Sequence, residues 1–406
     1  MLSLLALVLV LSMSTWFSAS AVIGQLAARW SLSGAAASGL TIAVQVGFAI
    51  GALVSGVLTL PDLIPARTLI FAGSAGAAAA NAMLLVADSA VTGIAMRVLT
   101  GFFLALVYPP TIKLTSTWFV AGRGLAVGVL LGGFTIGSAL PHLLNAAGGL
   151  HWQTVIVATS LLTLAGGIVS RTLITEGPYA FPAATFDIRQ LRRIIANRGV
   201  RFASFGYFGH MWELYAMWTW FQVFYASATQ HGGRSQPMQA SSQFVTFATI
   251  GLGAVGCWLG GYLSDRWGRG NTTILMMAVS GTCSVLICLA FHGPIWLVLA
   301  ISAVWGVSVV GDSAQFSALV VELGDQTYVG TAVTLQLACG FLLTIPTIWL
   351  IPILQRLAGS WQWVFLLLLP GPILGIMSML RLRSLSPATS TVSSTTTTAE
   401  ANWAQS

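Results

Sequence analysis

Three ionisable side chains sit inside long apolar stretches of this sequence. They are Arg97 in the run 91–114, Glu213 in 203–228 and Asp312 in 295–320. A charge in such a setting is costly to bury in a membrane and is a functional candidate for that reason. Glu213 falls about ten residues into its run, near mid-bilayer for a membrane-crossing helix. Burial there disfavours the charged carboxylate, so the group can load and release a proton near neutral pH. His210, three residues earlier, shares its helical face. Trp212, Tyr215, Trp218, Trp220 and Tyr225 surround the pair with rings that have polar edges. Glu213 therefore reads as a proton carrier or substrate contact, against the alternative of a carboxyl hydrogen-bonded into helix packing. His210 reads either as its partner or as a satisfied packing residue.

Arg97 stays charged even when buried. It needs an anion, either Glu213 or Asp312 across a cavity or an anionic substrate; otherwise it snorkels to water from the end of its run. Asp312 lies in Gly311-Asp-Ser-Ala-Gln315-Phe-Ser317, where small and polar residues alternate as at a cavity face or close helix contact. It is a second proton site or a structural hydrogen-bonding group. Trp16, Tyr215, Trp220, Gln315 and Gln336 are candidate cavity-lining residues.

A second chemical signal is the stretch Gly261-Tyr-Leu-Ser-Asp265-Arg266-Trp-Gly268-Arg269-Gly, at the end of an apolar run. A carboxylate at Asp265 can accept backbone N–H bonds at a neighbouring helix N-terminus, where the dipole favours negative charge. It can also pair with an arginine. Gly268 supplies turn geometry that a Cβ would obstruct.

The elements that position these groups follow from composition. The chain has 406 residues, 56% hydrophobic and only 7% charged, whereas soluble domains carry about 25% charged residues. This excludes a cytosolic enzyme, a disordered chain, a nucleic-acid binder and a disulfide scaffold. The unbroken apolar runs favour an all-α polytopic membrane protein over a barrel of short alternating strands. Twelve runs are long enough to cross a bilayer: 3–28, 36–60, 68–87, 91–114, 123–146, 152–173, 203–228, 241–263, 272–292, 295–320, 328–354 and 362–382. They are called spans 1 to 12.

Of the 17 basic residues, 13 fall on one side: Arg67, Lys113, Arg123, Arg171, Arg189, Arg192, Arg193, Arg198, Arg201, Arg266, Arg269, Arg381 and Arg383. The other side carries only Arg29, Arg234 and Arg356. The positive-inside rule makes the first side cytoplasmic, with both termini inside a cell (inner) membrane. The expected organisation is a six-helix bundle at 1–174, a cytoplasmic linker at 175–202, a second six-helix bundle at 203–384 and a disordered Ser/Thr-rich tail at 385–406. Within the linker, Asp187 can cap a basic amphipathic helix with Ile188, Leu191 and Ile195 on one face and Arg189, Arg192 and Arg193 on another. Such a helix suits the inner leaflet or the underside of the bundle. The N-terminus reads as an uncleaved first span. Cys257, Cys283, Cys288 and Cys339 read as small buried hydrophobes. Pro109-Pro110, Pro346 and Pro352 are candidate bending points, and the Trp residues at span ends form an aromatic belt.

The two halves repeat at a shift of about 205 residues. Thr15-Trp16-Phe17 matches Thr219-Trp220-Phe221; Gly51, Gly56 and Gly101 match Gly256, Gly261 and Gly306. Parallel six-helix repeats mark transporters that rock two halves about a midplane site. The Gly261–Gly270 stretch resembles the cytoplasmic loop motif of the major facilitator superfamily, G-x-x-x-D-R-x-G-R-[RK], departing only at Gly270. The first-half counterpart, Gly56 to Arg67, keeps Asp62 and a base but loses the spacing. Arg97-Val-Leu-Thr-Gly101 is similar to the family's R-x-x-x-G motif. Span 5 carries Gly128, Gly132, Gly133 and Gly137 but lacks the Gly-Pro of the antiporter motif.

The resemblance implies a secondary transporter working by alternating access, with spans 1 and 7 lining the cavity. It implies that Gly261, Asp265, Arg266, Gly268 and Arg269 form an inner gate latch. Proton-coupled uptake of a small, possibly anionic metabolite is the expected activity, since the chain looks broadly like nitrate- and cyanate-type permeases. Proton-coupled efflux of drugs or metabolites and a non-transporting receptor or scaffold are the alternatives. The expected partners are a small solute, protons and the lipid bilayer, for a monomer without cofactor or nucleic acid. No G-x-x-x-x-G-K-[ST] sequence offers direct ATP drive. Nor is there an H-E-x-x-H or nucleophile–base set for an intramembrane enzyme. His142, His151, His231 and His292 are placed singly in outer loops by the same reading.

Overall fold

The computed structural model of the chain describes residues 1–119, 122–147, 150–179, 187–231, 239–325 and 328–385. Arg234, the side chains of Arg123 and His231, and nearly all of the expected disordered tail (386–406) lie outside the described residues. All regular structure among the described residues is helical. Ten helical segments are long and apolar enough to cross a membrane, beginning with Gly39–Val57 and ending with Val364–Leu385. The other two predicted spans are the 34-residue helix Arg198–His231 and a broken path from Leu2–Ser12 through Ser18–Ala21 to Ile23–Arg29.

Glycine explains how the spans stack. A Cβ on Gly101 of span 4 would lie 2.1 Å from the Val44 carbonyl oxygen of span 2, and one on Gly51 would lie 2.4 Å from that of Phe102. In the second half, a Cβ on Gly306 would lie 2.0 Å from the Thr249 carbonyl oxygen and one on Gly256 would lie 1.9 Å from that of Val307. Donor glycine and facing carbonyl thus repeat together at the sequence shift. Small residues let backbones close on each other where apolar burial cannot drive association in lipid.

Several spans are interrupted. Span 4 breaks between Ala90–Leu104 and Tyr108–Ser116, with Pro109 and Pro110 opening the second piece. Span 10 breaks at the equivalent place, between Ile295–Gly311 and Ser313–Leu323, and Asp312 is the residue at the joint. Pro346 and Pro352, by contrast, remain inside the continuous helix Val329–Ala358. The linker forms a short turn at Ile188–Gln190, capped by the Asp187 carboxylate, and the helix Leu191–Ala196. Ile188, Leu191 and Ile195 are exposed there and Ile194 is buried. Cys257, Cys283 and Cys288 are buried as expected, but Cys339 is exposed on the outside of its helix.

Candidate functional site

The halves meet along a seam of aromatic rings. Trp16 of span 1 stacks on Tyr215 of span 7 with centroids 5.7 Å apart, and Phe48 of span 2 meets Phe341 of span 11 at 4.4 Å. Beside them lies a cavity of about 40 Å³. Tyr108, Phe134, Tyr207, Tyr215, Trp218 and Phe341 supply its rings, and His210, Ser313 and Ser317 its polar edges.

His210 is the hub of the polar wall. Its Nδ1 lies 2.9 Å from Asp312 Oδ1 and its Nε2 2.7 Å from Ser313 Oγ. The serine contact is a hydrogen bond, whereas the carboxylate faces the ring at ion-pair distance with Oδ1 left without a hydrogen-bond partner. Asp312 reaches this position because span 10 breaks there.

Glu213 does not share the cavity, contrary to the sequence reading. Its Oε1 accepts from Trp305 Nε1 and its Oε2 from Ser280 Oγ, both at 2.8 Å. It therefore points into the second half, between spans 7, 9 and 10. Three residues on a helix leave about 60° between side chains, enough to send His210 into the cavity and Glu213 behind it.

Arg97 departs further from expectation. It is fully buried, so it does not snorkel, and among the described residues no carboxylate forms an ion pair with it. Its Nη1 donates to Thr15 O at 2.9 Å, Ser18 Oγ at 3.0 Å and Asn81 Oδ1 at 3.0 Å; its Nη2 donates to Trp16 O and its Nε to Leu40 O at 3.4 Å. The Thr15 and Trp16 carbonyls lie at the break in span 1, between Met13–Thr15 and Ser18–Ala21, outside a regular helical ladder. Arg97 thus serves the backbone carrying Trp16, and it is not among the cavity-lining residues.

The other candidates divide. Tyr215 lines the cavity and Trp16 packs against it. Gln336 accepts from the lining Ser317 at 3.4 Å. Trp220 is displaced: its Nε1 donates to Ile348 O and its ring lies against Trp361. Gln315 is also displaced, with its Oε1 accepting from Arg269 Nη1 at 2.7 Å.

The seam closes at both ends. At the basic end, Asp265 Oδ1 lies 3.2 Å from the place of a Cβ on Gly124, at the start of span 5. Arg269 Nε donates to Glu322 at 2.7 Å, Arg266 lies over the Tyr262 ring, and Gly268 turns the chain at φ +81°. The degraded first-half loop pairs Asp62 with Lys113. Within the seam, a Cβ on Gly128 would lie 2.8 Å from the Cys257 carbonyl oxygen.

At the far end, His142 is not in a loop. It is buried within the helix Arg123–Ala146, and its Nδ1 lies 2.6 Å from Gln243 Oε1 of span 8. Gln243 Nε2 in turn donates to Ala21 O at 2.9 Å. A histidine one turn from the end of an apolar run was the available signal, and assigning it to the loop concealed it.

The Major Facilitator Superfamily matches residues 5–347. The chain belongs to that superfamily. It is a multi-pass membrane transporter of small solutes with the alternating-access fold, and not an enzyme. A stretch of 118 residues is 33% identical to the multidrug efflux pump LfrA of Mycolicibacterium smegmatis, covering 28% of this chain and 23% of that protein. The superfamily fold is also that of a bacterial homolog to the human lysosomal transporter Spinster. Its inward-facing, occupied structure covers 95% of this chain and 96% of its own at TM-score 0.68 and 13% identity. The inward-facing, unoccupied structure gives 94% of each chain, TM-score 0.64 and 13% identity.

Proposed function

We propose that the protein is a proton-coupled secondary transporter whose His210–Asp312 pair carries the proton. The observation that carries this reading is the 2.9 Å contact of the pair beside a cavity lined by both halves, with His210 in its wall. Gain or loss of a proton there changes the charge that an entering solute meets, and such a difference is what couples two fluxes. The Arg- and Lys-rich end is cytoplasmic on this reading, with Asp265 latching the inner end of the seam and His142–Gln243 the outer end.

Proton-driven export is the favoured direction. The cavity wall is mainly aromatic and apolar, and the N–H groups of Arg97 are engaged by backbone and neutral side chains, which removes the reason to favour an anion. The stretch shared with an efflux pump supports the same direction. Uptake by symport is the second reading, supported by the missing Gly-Pro in span 5.

Proteoliposomes holding a trapped pH dye test the coupling against a panel of solutes. Asp312→Asn should abolish solute-dependent proton flux while leaving the protein folded. Undiminished proton flux in that variant sinks the assignment.

A further inference from the structure

Four buried side chains in or next to the aromatic seam leave N–H donors without a partner. Trp218 lines the cavity, and its Nε1 makes no hydrogen bond. Trp16, stacked on the lining Tyr215 and edge-on to the lining Phe134, also leaves Nε1 unpaired. Gln336 holds the lining Ser317 by its oxygen and leaves Nε2 unpaired. Gln45 lies one turn from Phe48, whose ring packs on Trp16 and the lining Phe341; neither of its amide atoms has a partner. All four side chains are at most 2% exposed. Buried polar groups are nearly always paired, so unpaired donors gathered along one seam, one of them in the cavity wall, need a reason.

The charges narrow the answer. No Lys or Arg lines the cavity. The acid beside it, Asp312, faces His210 at ion-pair distance, with Oδ1 free of hydrogen bonds, and is not itself a lining residue. What the wall offers a solute is mainly ring faces, with the imidazole of His210, the hydroxyls of Ser313 and Ser317 and the indole N–H of Trp218 as its polar points.

We infer that the cavity recognises an uncharged, planar, ring-bearing solute through its carbonyl or ether oxygens, which accept from Trp16, Trp218, Gln45 and Gln336. A cavity of about 40 Å³ has room for only a few waters, so such a solute enters as the seam parts, its rings against Tyr215, Phe134 and Phe341 and its oxygens on the donors left open here. This deepens the transport reading and names its substrate class, but recognition is an equilibrium property that can be measured without turnover.

The test uses the purified full-length chain in detergent and three tricyclic probes of similar size. They are acridone (neutral, one carbonyl), 9-aminoacridine (a cation) and anthracene-9-carboxylate (an anion). Fluorescence titration should show acridone binding at least about tenfold tighter than either ion. Trp218→Phe, which keeps a ring but deletes the N–H, should weaken acridone about five- to tenfold, the worth of one net hydrogen bond. Gln45→Leu should weaken acridone similarly while raising the melting temperature of the ligand-free protein, because it deletes an unpaired buried amide. A structural role for Gln45 would instead lower the melting temperature.

Tighter binding of either ion, no binding of acridone, or unchanged acridone affinity in both folded variants overturns the inference. Acridone binding as expected without proton flux overturns the coupling and leaves the recognition standing. Proton flux with an ion preferred does the reverse.

Discussion

His142 and Gln243 join the two halves of the molecule at its far end, Nδ1 to Oε1 at 2.6 Å, and Gln243 extends the chain of bonds to the Ala21 carbonyl in span 1. Three spans are thereby tied across the seam at one point. His142→Phe keeps a ring of similar size and removes the bond. A net hydrogen bond is worth about 0.5–1.5 kcal/mol, so the outward-open population should rise about two- to tenfold. Labelling of single cysteines from the outer side measures this, and an unchanged labelling rate would remove the latch.

At the other end, Asp265→Asn weakens the carboxylate that faces the start of span 5. Gly128→Val wedges a side chain against the Cys257 carbonyl. Both should shift the protein towards the inward-open state, with faster cytoplasmic labelling and slower external labelling. Labelling that rises equally from both sides would indicate general loosening instead.

Arg97→Gln should act on stability and not on substrate charge. The variant leaves carbonyls of span 1 without their donor, and buried unpaired groups cost about 1–3 kcal/mol each. We expect a fall in melting temperature with the ranking of anionic and neutral solutes unchanged. A selective loss of anion binding in a fully stable variant would return Arg97 to the binding site.

Glu213→Gln and Glu213→Leu separate packing from proton transfer. Gln can still accept from Trp305 and exchange a hydrogen bond with Ser280, so proton flux and fold should both persist. Leu leaves Trp305 Nε1 unpaired and Ser280 Oγ with only the long bond to Met277 O, and should cost about 1–3 kcal/mol. Loss of proton flux in Glu213→Gln, with the melting temperature unchanged, would move the coupling from Asp312 to Glu213.

Ten of the twelve expected spans were legible because length and hydropathy decide them, and the turn at Gly268 was legible because its spacing in the loop is specific. The shifted glycines were visible too, although only the facing carbonyls explain them. The partners of Arg97 were not legible. Met13 to Phe17 contains neither Gly nor Pro, so nothing local announces that span 1 opens its carbonyls there. The orientation of Glu213 was equally hidden, because periodicity places His210 and Glu213 on one face and the difference of about 60° decides which one meets the cavity. Trp220 matched Trp16 in the repeat, yet it sits near Trp361, which shows that a repeated residue need not keep a repeated role.

The backbone-to-backbone fit of spans 2 and 4, and of spans 8 and 10, carries a mechanical consequence. Helices keyed together at carbonyl distance cannot slide or rotate past each other without a clash, so each pair acts as a stiff spar through its half. Across the seam the backbone fit is looser, with a Cβ on Gly128 2.8 Å from the Cys257 carbonyl oxygen against 1.9–2.4 Å within the pairs, and rings and hydrogen bonds make the rest of the contact. On the transport reading proposed above, a change of state exchanges seam contacts while each keyed pair moves as a unit, two stiff jaws on a softer bearing.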